Sequence, residues 1–135
     1  QRAVGATPDV TLEVIGADAL TVDEGRAAGR RIMARPASAR PDAIFAANDL
    51  LALGILQSLV MTGDARVPDD IALIGYDDID FSAAAAIPLS SIRQPAALIG
   101  STGTELLLEI AEGRTLPREH VVFQPELVAR ASTAG

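Results

Sequence analysis

The chain alternates short apolar runs with longer amphipathic stretches, and that alternation is its strongest constraint. The runs at Val10–Ile15, Ala43–Ala46 and Ile71–Gly75 read as strands, with Ser90–Arg93 as a brief extended segment. His120–Phe123 and Glu126–Val128 are further strand candidates. Between them, Thr21 and Glu24 have the spacing of a capping box, a hydroxyl at the cap and a carboxylate three residues later, opening a helix that runs to Pro36. Gly25 and Gly29 within it fall on one face, where a second backbone could pack closely. Asn48 and Gly63 bracket a second helix, Asp49–Thr62. Phe81–Ala86 reads as a short helix, and a last one starts at Pro95 and stops at Gly113, with Leu98, Ile99, Leu106 and Ile110 as its apolar stripe. Buried strands alternating with helices predict an α/β fold, a parallel sheet with helices on both faces.

Composition narrows the chemistry. At 135 residues and about half apolar, the chain suits one domain with a core. No run approaches the ~20 apolar residues of a membrane span, and the first residues lack a signal peptide's apolar stretch, so a cytoplasmic location is expected. Cysteine is absent and His120 is the only histidine, which excludes disulfides, thiolate sites and multi-histidine metal centres. With 11 basic and 18 acidic residues the net charge is −7, and Tyr76 and three phenylalanines are the only aromatics. Both facts argue against this segment touching nucleic acid itself. There is no phosphate-cradling glycine loop and no nucleophile–base pair, so neither an enzyme nor a cofactor is expected.

In open parallel sheets, ligands bind beyond the carboxyl ends of the strands. The connections there deliver Leu20, Asn48, Asp77 and Gln94 to one edge. Amide and acid groups together with an arginine suit a neutral, polyhydroxylated molecule. Asn48 fits a helix cap equally well, and one side chain can do both. Asp77 also fits a turn after a strand, and Asp77, Asp78 and Asp80 also fit a divalent cation. The Asp49–Thr62 helix is apolar almost all round, so it needs cover on two sides. A second copy of the chain is the expected second cover, through Leu50, Leu53, Gly54, Gln57, Met61 and Phe81. The alternative is cover by the short Phe81–Ala86 helix.

Four segments carry a family resemblance. Pro41–Gly54 resembles P-x-A-I-F-A-x-N-D-x-x-A-x-G, and Val67–Ile79 resembles V-P-x-D-I-x-x-x-G-[FY]-D-D. Pro88–Pro95 is similar to P-x-L-T-T-[IV]-x-Q-P, and Glu126–Thr133 to E-L-[VI]-x-R-x-S-[ST]. In this order they resemble bacterial transcription regulators of the lac-repressor family. The resemblance implies a periplasmic-binding-protein-like (type I) fold, essentially its C-terminal lobe, spanning residues 1–135. It implies a small effector, sugar-like or a related metabolite, bound by Asn48, Asp77 and Gln94, with Leu20 as a wall residue and Arg2 reaching the ligand. It further implies a homodimer, DNA contact only through a helix-turn-helix headpiece not included in this chain, and packing of residues 91–113 on a first lobe that is likewise not included. A solute-binding protein of a sugar ABC transporter shares the fold and is the alternative.

Overall fold

The computed structural model describes residue 7, residues 10–114 and residues 120–133. Arg2 lies outside them. The elements run α1 (Val22–Met33), a 3-10 turn (Ala37–Ala39), β1 (Ala43–Phe45), α2 (Asp49–Thr62), β2 (Ala72–Tyr76), α3 (Asp80–Ala83), β3 (Ser90–Arg93), α4 (Ala96–Ala111) and β4 (Glu126–Val128). The strands form one sheet in the order β1-β2-β3-β4. β1, β2 and β3 are parallel, whereas β4 returns antiparallel on β3, pairing Ile92 with Leu127. The architecture is therefore α/β with a mostly parallel sheet.

Helix ends follow from the local chemistry. Thr21 Oγ1 accepts from Glu24 N at 3.3 Å, while the Glu24 carboxylate reaches back to Asp18 N rather than to the cap itself. Asn48 Oδ1 accepts from Leu51 N at 2.9 Å, and Gly63 closes α2 at φ 67°. Arg40 ties the two helix exits together, donating to the carbonyls of Met33, Arg35 and Asp64. The Met33 carbonyl is one that the helix end leaves without an internal partner, and the other two lie just past the caps.

Two sequence expectations change. Val10–Ile15 is not paired into the sheet. Its alternating Val10, Leu12 and Val14 stay exposed, only Ile15 touches the core, and the segment is held through Glu13 on Arg35 at 2.6–2.7 Å. Alternation supplies a strand pattern, but a strand also needs a face to bury. His120–Phe123 likewise forms no strand, leaving β4 as the closing one.

The core lies between α1, α2 and the sheet, centred on Ile32, Leu59, Ile71, Leu73 and Leu89. β2 sends Leu73 and Gly75 toward α2, where a Cβ on Gly75 would meet Asp49 and Ala52. The opposite sheet face presents Phe45 and Leu127, both well exposed. α1 of the same chain packs along α2 and covers much of it, while Leu50, Val60 and Met61 stay exposed. The close approach of the two helices depends on glycine. Gly25 packs on Leu51 and Gly54, and Gly29 on Ser58, on the one face that the spacing of the two glycines predicts.

Candidate functional site

β1 and β2 run parallel, with Phe45 opposite Ile74, so the connections that follow them leave the same edge of the sheet. Asn48 sits after β1, Asp77 directly after β2 and Gln94 directly after β3. Asp77 Oδ1 accepts from Gln94 Nε2 at 2.7 Å, which joins two of the expected site residues directly. Asn48 Nδ2 donates to the Leu20 carbonyl at 3.3 Å, which joins two more. Asn48 itself is buried, with its oxygen committed to the α2 cap and its amide to Leu20. Asp77 and the Leu20 side chain are exposed.

Asp77 holds an uncommon backbone conformation. Its φ is 104°, and Asp78 follows at 53°, so two consecutive non-glycine residues lie at positive φ. Such backbone costs about 1–3 kcal/mol per residue and persists only where the surroundings over-determine it. Here they do. Asp77 N donates to the Ile92 carbonyl at 2.9 Å and Asp78 N to Ser91 Oγ at 3.0 Å. The nearly buried Asp78 carboxylate meets Arg93 on one oxygen at 2.6–2.7 Å and Arg130 on the other at 2.7 Å. Burial pushes the Asp78 carboxyl upward, but the Arg130 and Arg93 guanidinium groups outweigh it and hold the group below its ordinary range.

Beneath this edge lies a buried polar network that sequence reasoning missed. Asp49, fully buried in the first turn of α2, accepts from Ile79 N at 2.9 Å and from the Ser82 and Ser91 hydroxyls at 2.6 Å each. Ser132, also fully buried, bridges strands by accepting from Ser90 N at 2.8 Å and donating to the Leu73 carbonyl at 2.6 Å. An acid just after a cap reads as an ordinary first-turn residue, so nothing local in the sequence marks Asp49 as the hub.

Asp77, Asp78 and Asp80 do not converge, because Asp77 faces Gln94 while Asp78 is sequestered by arginines. Among the described residues no three acidic or histidine side chains form a metal-binding group. Two concavities open elsewhere. One of about 540 Å³ lies against α1 at Asp18, Glu24, Arg30 and Arg31. The other, about 460 Å³, lies at the amino ends of the strands near Asp42, Asp64 and Asp70. Neither touches Asn48, Asp77 or Gln94, whose edge is open to solvent rather than enclosed.

Among the residues expected at a dimer surface, Leu50, Met61 and Phe81 are exposed and Leu53 is half-buried. Gln57 is exposed and accepts from Arg26 Nε at 2.7 Å. Gly54 differs, being buried beneath α1, so it offers no surface to a partner.

Residues 4–133 match the periplasmic binding protein-like domain, and the chain belongs to that family. Its relatives within the family are transcription regulators of the lac-repressor type. The HTH-type transcriptional repressor PurR of Aliivibrio fischeri is 39% identical over 104 residues, covering 77% of this chain and 31% of that protein. The solved transcriptional regulator CelR–cellobiose complex superposes with a TM-score of 0.74 at 37% identity, covering 84% of this chain and 34% of that one. The dimeric Lac repressor with an 11-residue C-terminal deletion gives a TM-score of 0.73 at 29% identity, covering 84% and 40%. The chain thus spans about a third of the curated repressor's length. These relatives are regulators rather than enzymes, and no described helix is long and apolar enough to cross a membrane.

Proposed function

We propose that this chain is the second lobe of the effector-binding and dimerisation domain of a cytoplasmic bacterial transcription regulator. A sugar-like molecule binds between its strand-end edge and a first lobe, and DNA is read by a separate helix-turn-helix. The observation that carries the reading is Asp77, an exposed acid held at strained φ on the edge where ligands of such sheets bind. Asp77 accepts hydrogen bonds from ligand hydroxyls, each worth about 1.5–3 kcal/mol for a charged acceptor. Gln94 supplies a donor and an acceptor beside it, and Leu20 forms a wall. Asn48 acts mainly by fixing the α2 start and the Leu20 backbone, with spare hydrogen-bonding capacity for the ligand. The neighbouring CelR–cellobiose structure supports a saccharide as the ligand class.

The effector works by population shift, favouring the lobe arrangement it binds better. α4 has no buried residue and exposes Leu98, Ile99, Leu107, Leu108 and Ile110, which suits packing of residues 91–113 on the first lobe. Leu50, Leu53, Met61 and Phe81, with Gln57 among them, form the dimer surface, and the dimeric Lac repressor supports that state. Calorimetry on the two-lobed regulator tests the site. Asp77→Ala weakens saccharide binding at least tenfold, whereas unchanged affinity removes Asp77 from the site.

A further inference from the structure

Two neighbouring cross-links join the turn after β2 to the end of β3. Asp77 meets Gln94 at 2.7 Å, and Asp78 meets Arg93 at 2.6–2.7 Å. Each link uses consecutive residues on both sides, 77–78 on one and 93–94 on the other, so they form two rungs of a short ladder. The outer rung is exposed and carries the group that faces ligand in the proposed function. The inner rung is built around a carboxylate whose side chain is only 5% exposed.

We propose that Asp78 is a positioning residue for the effector site, and that its clamp on Arg93 and Arg130 holds the Asp77–Gln94 pair in its ligand-ready geometry. The inference rests on the effector reading for its functional meaning. Three observations carry it. Positive φ at both Asp77 and Asp78 requires an external hold, and the Asp78 carboxylate, ion-paired with Arg93 and Arg130, supplies one. Arg93 precedes Gln94 directly, so fixing its guanidinium fixes the backbone from which the Gln94 amide reaches out. Arg130 adds a third anchor beyond β4, where the same Nη1 also donates to the Leu89 carbonyl at 2.7 Å. The clamp therefore spans β2, β3 and the segment after β4, and the ligand-facing pair moves only with that whole unit.

The test needs no ligand. In ¹⁵N-labelled protein, exchange of the Asp77 backbone amide reports the turn, the Gln94 side-chain amide signals report the outer rung, and the Leu73 amide reports global opening. Asp78→Asn keeps the shape and removes the charge. It is expected to speed Asp77 exchange at least tenfold relative to Leu73 and to move the Gln94 signals to free-amide positions. Arg93→Gln, at a half-exposed site that tolerates change, gives the same shifts at smaller size and decides the matter if Asp78→Asn does not fold. Arg93→Lys restores part of the wild-type pattern. Unmoved Gln94 signals in a folded variant, or equal acceleration at Asp77 and Leu73, would overturn the proposal. Because no saccharide enters the experiment, that result leaves the effector reading intact, whereas loss of the effector reading would leave the clamp as a structural device without its positioning role.

Discussion

Gly25 and Gly54 face each other where α1 crosses α2, close enough that a Cβ on Gly54 would stand 2.8 Å from Gly25 Cα and 2.7 Å from Arg26 N. No side chain fits there without moving a helix. Gly54→Ala gains about 0.8–1.0 kcal/mol in helix propensity but incurs an overpacking cost of about 1–3 kcal/mol or more against rigid backbone. Net destabilisation is expected. Gly103→Ala, in α4 with nothing within 4 Å of its Cβ, is expected to gain stability by up to about 1 kcal/mol. Urea denaturation of the two variants should therefore give shifts of opposite sign.

Asp49 is a buried hub that is costly to truncate. Asp49→Ala strands two buried hydroxyls and one amide, each worth about 1–3 kcal/mol when left without a partner. A loss of at least about 3 kcal/mol is expected in chemical denaturation. Ser82→Ala removes one donor and leaves the others satisfied, so it should cost clearly less.

Replacing Asp77 separates strain from function. Glycine adopts φ 104° freely and alanine does not, so Asp77→Gly should be more stable than Asp77→Ala by about 1 kcal/mol. Both lack the carboxylate, so both should lose saccharide binding equally. Thermal melts and calorimetry on the pair check the two halves of this statement.

Acid tolerance has a local marker. Hydrogen bonds from the Arg66 side chain and backbone, with its charge, lower the Asp70 carboxyl to about 2. A lowered folded-state value means the pair stabilises the fold fully above the ordinary carboxylate range near ~3.9 and loses that contribution as pH falls through about 2. A ¹³C titration of the Asp70 carboxyl should show its midpoint there, and Arg66→Ala should return it toward the ordinary range.

Much of this fold is legible in the sequence because its signals are local. The Thr21 and Asn48 caps, the Gly63 stop and the strands at 43–45, 72–76 and 90–93 follow from short-range chemistry, and the structure has each where the residues indicate. The Gly25–Gly29 face is legible for the same reason. Val10–Ile15 fails because alternation says nothing about whether a sheet edge will accept the segment. The packing of α1 on α2 is not legible because helix periodicity gives the need for a partner but not its identity. At the candidate site, the edge and its exposed residues follow from topology. The Asp49 hub and the Asp78 clamp do not, since each joins residues far apart in sequence, from 13 positions between Asp78 N and Ser91 to 52 between Asp78 and Arg130.

The carboxyl edge of this sheet is proposed to form half of a saccharide site. Titrating a panel of mono- and disaccharides into the ¹⁵N-labelled two-lobed protein tests it most directly. The expected result is that at least one sugar shifts the Asp77 amide and the Gln94 side-chain amide first, with Leu20 and Asn48 following. Shifts confined to the α1 concavity around Arg30 and Arg31, or no response to any sugar, would contradict it.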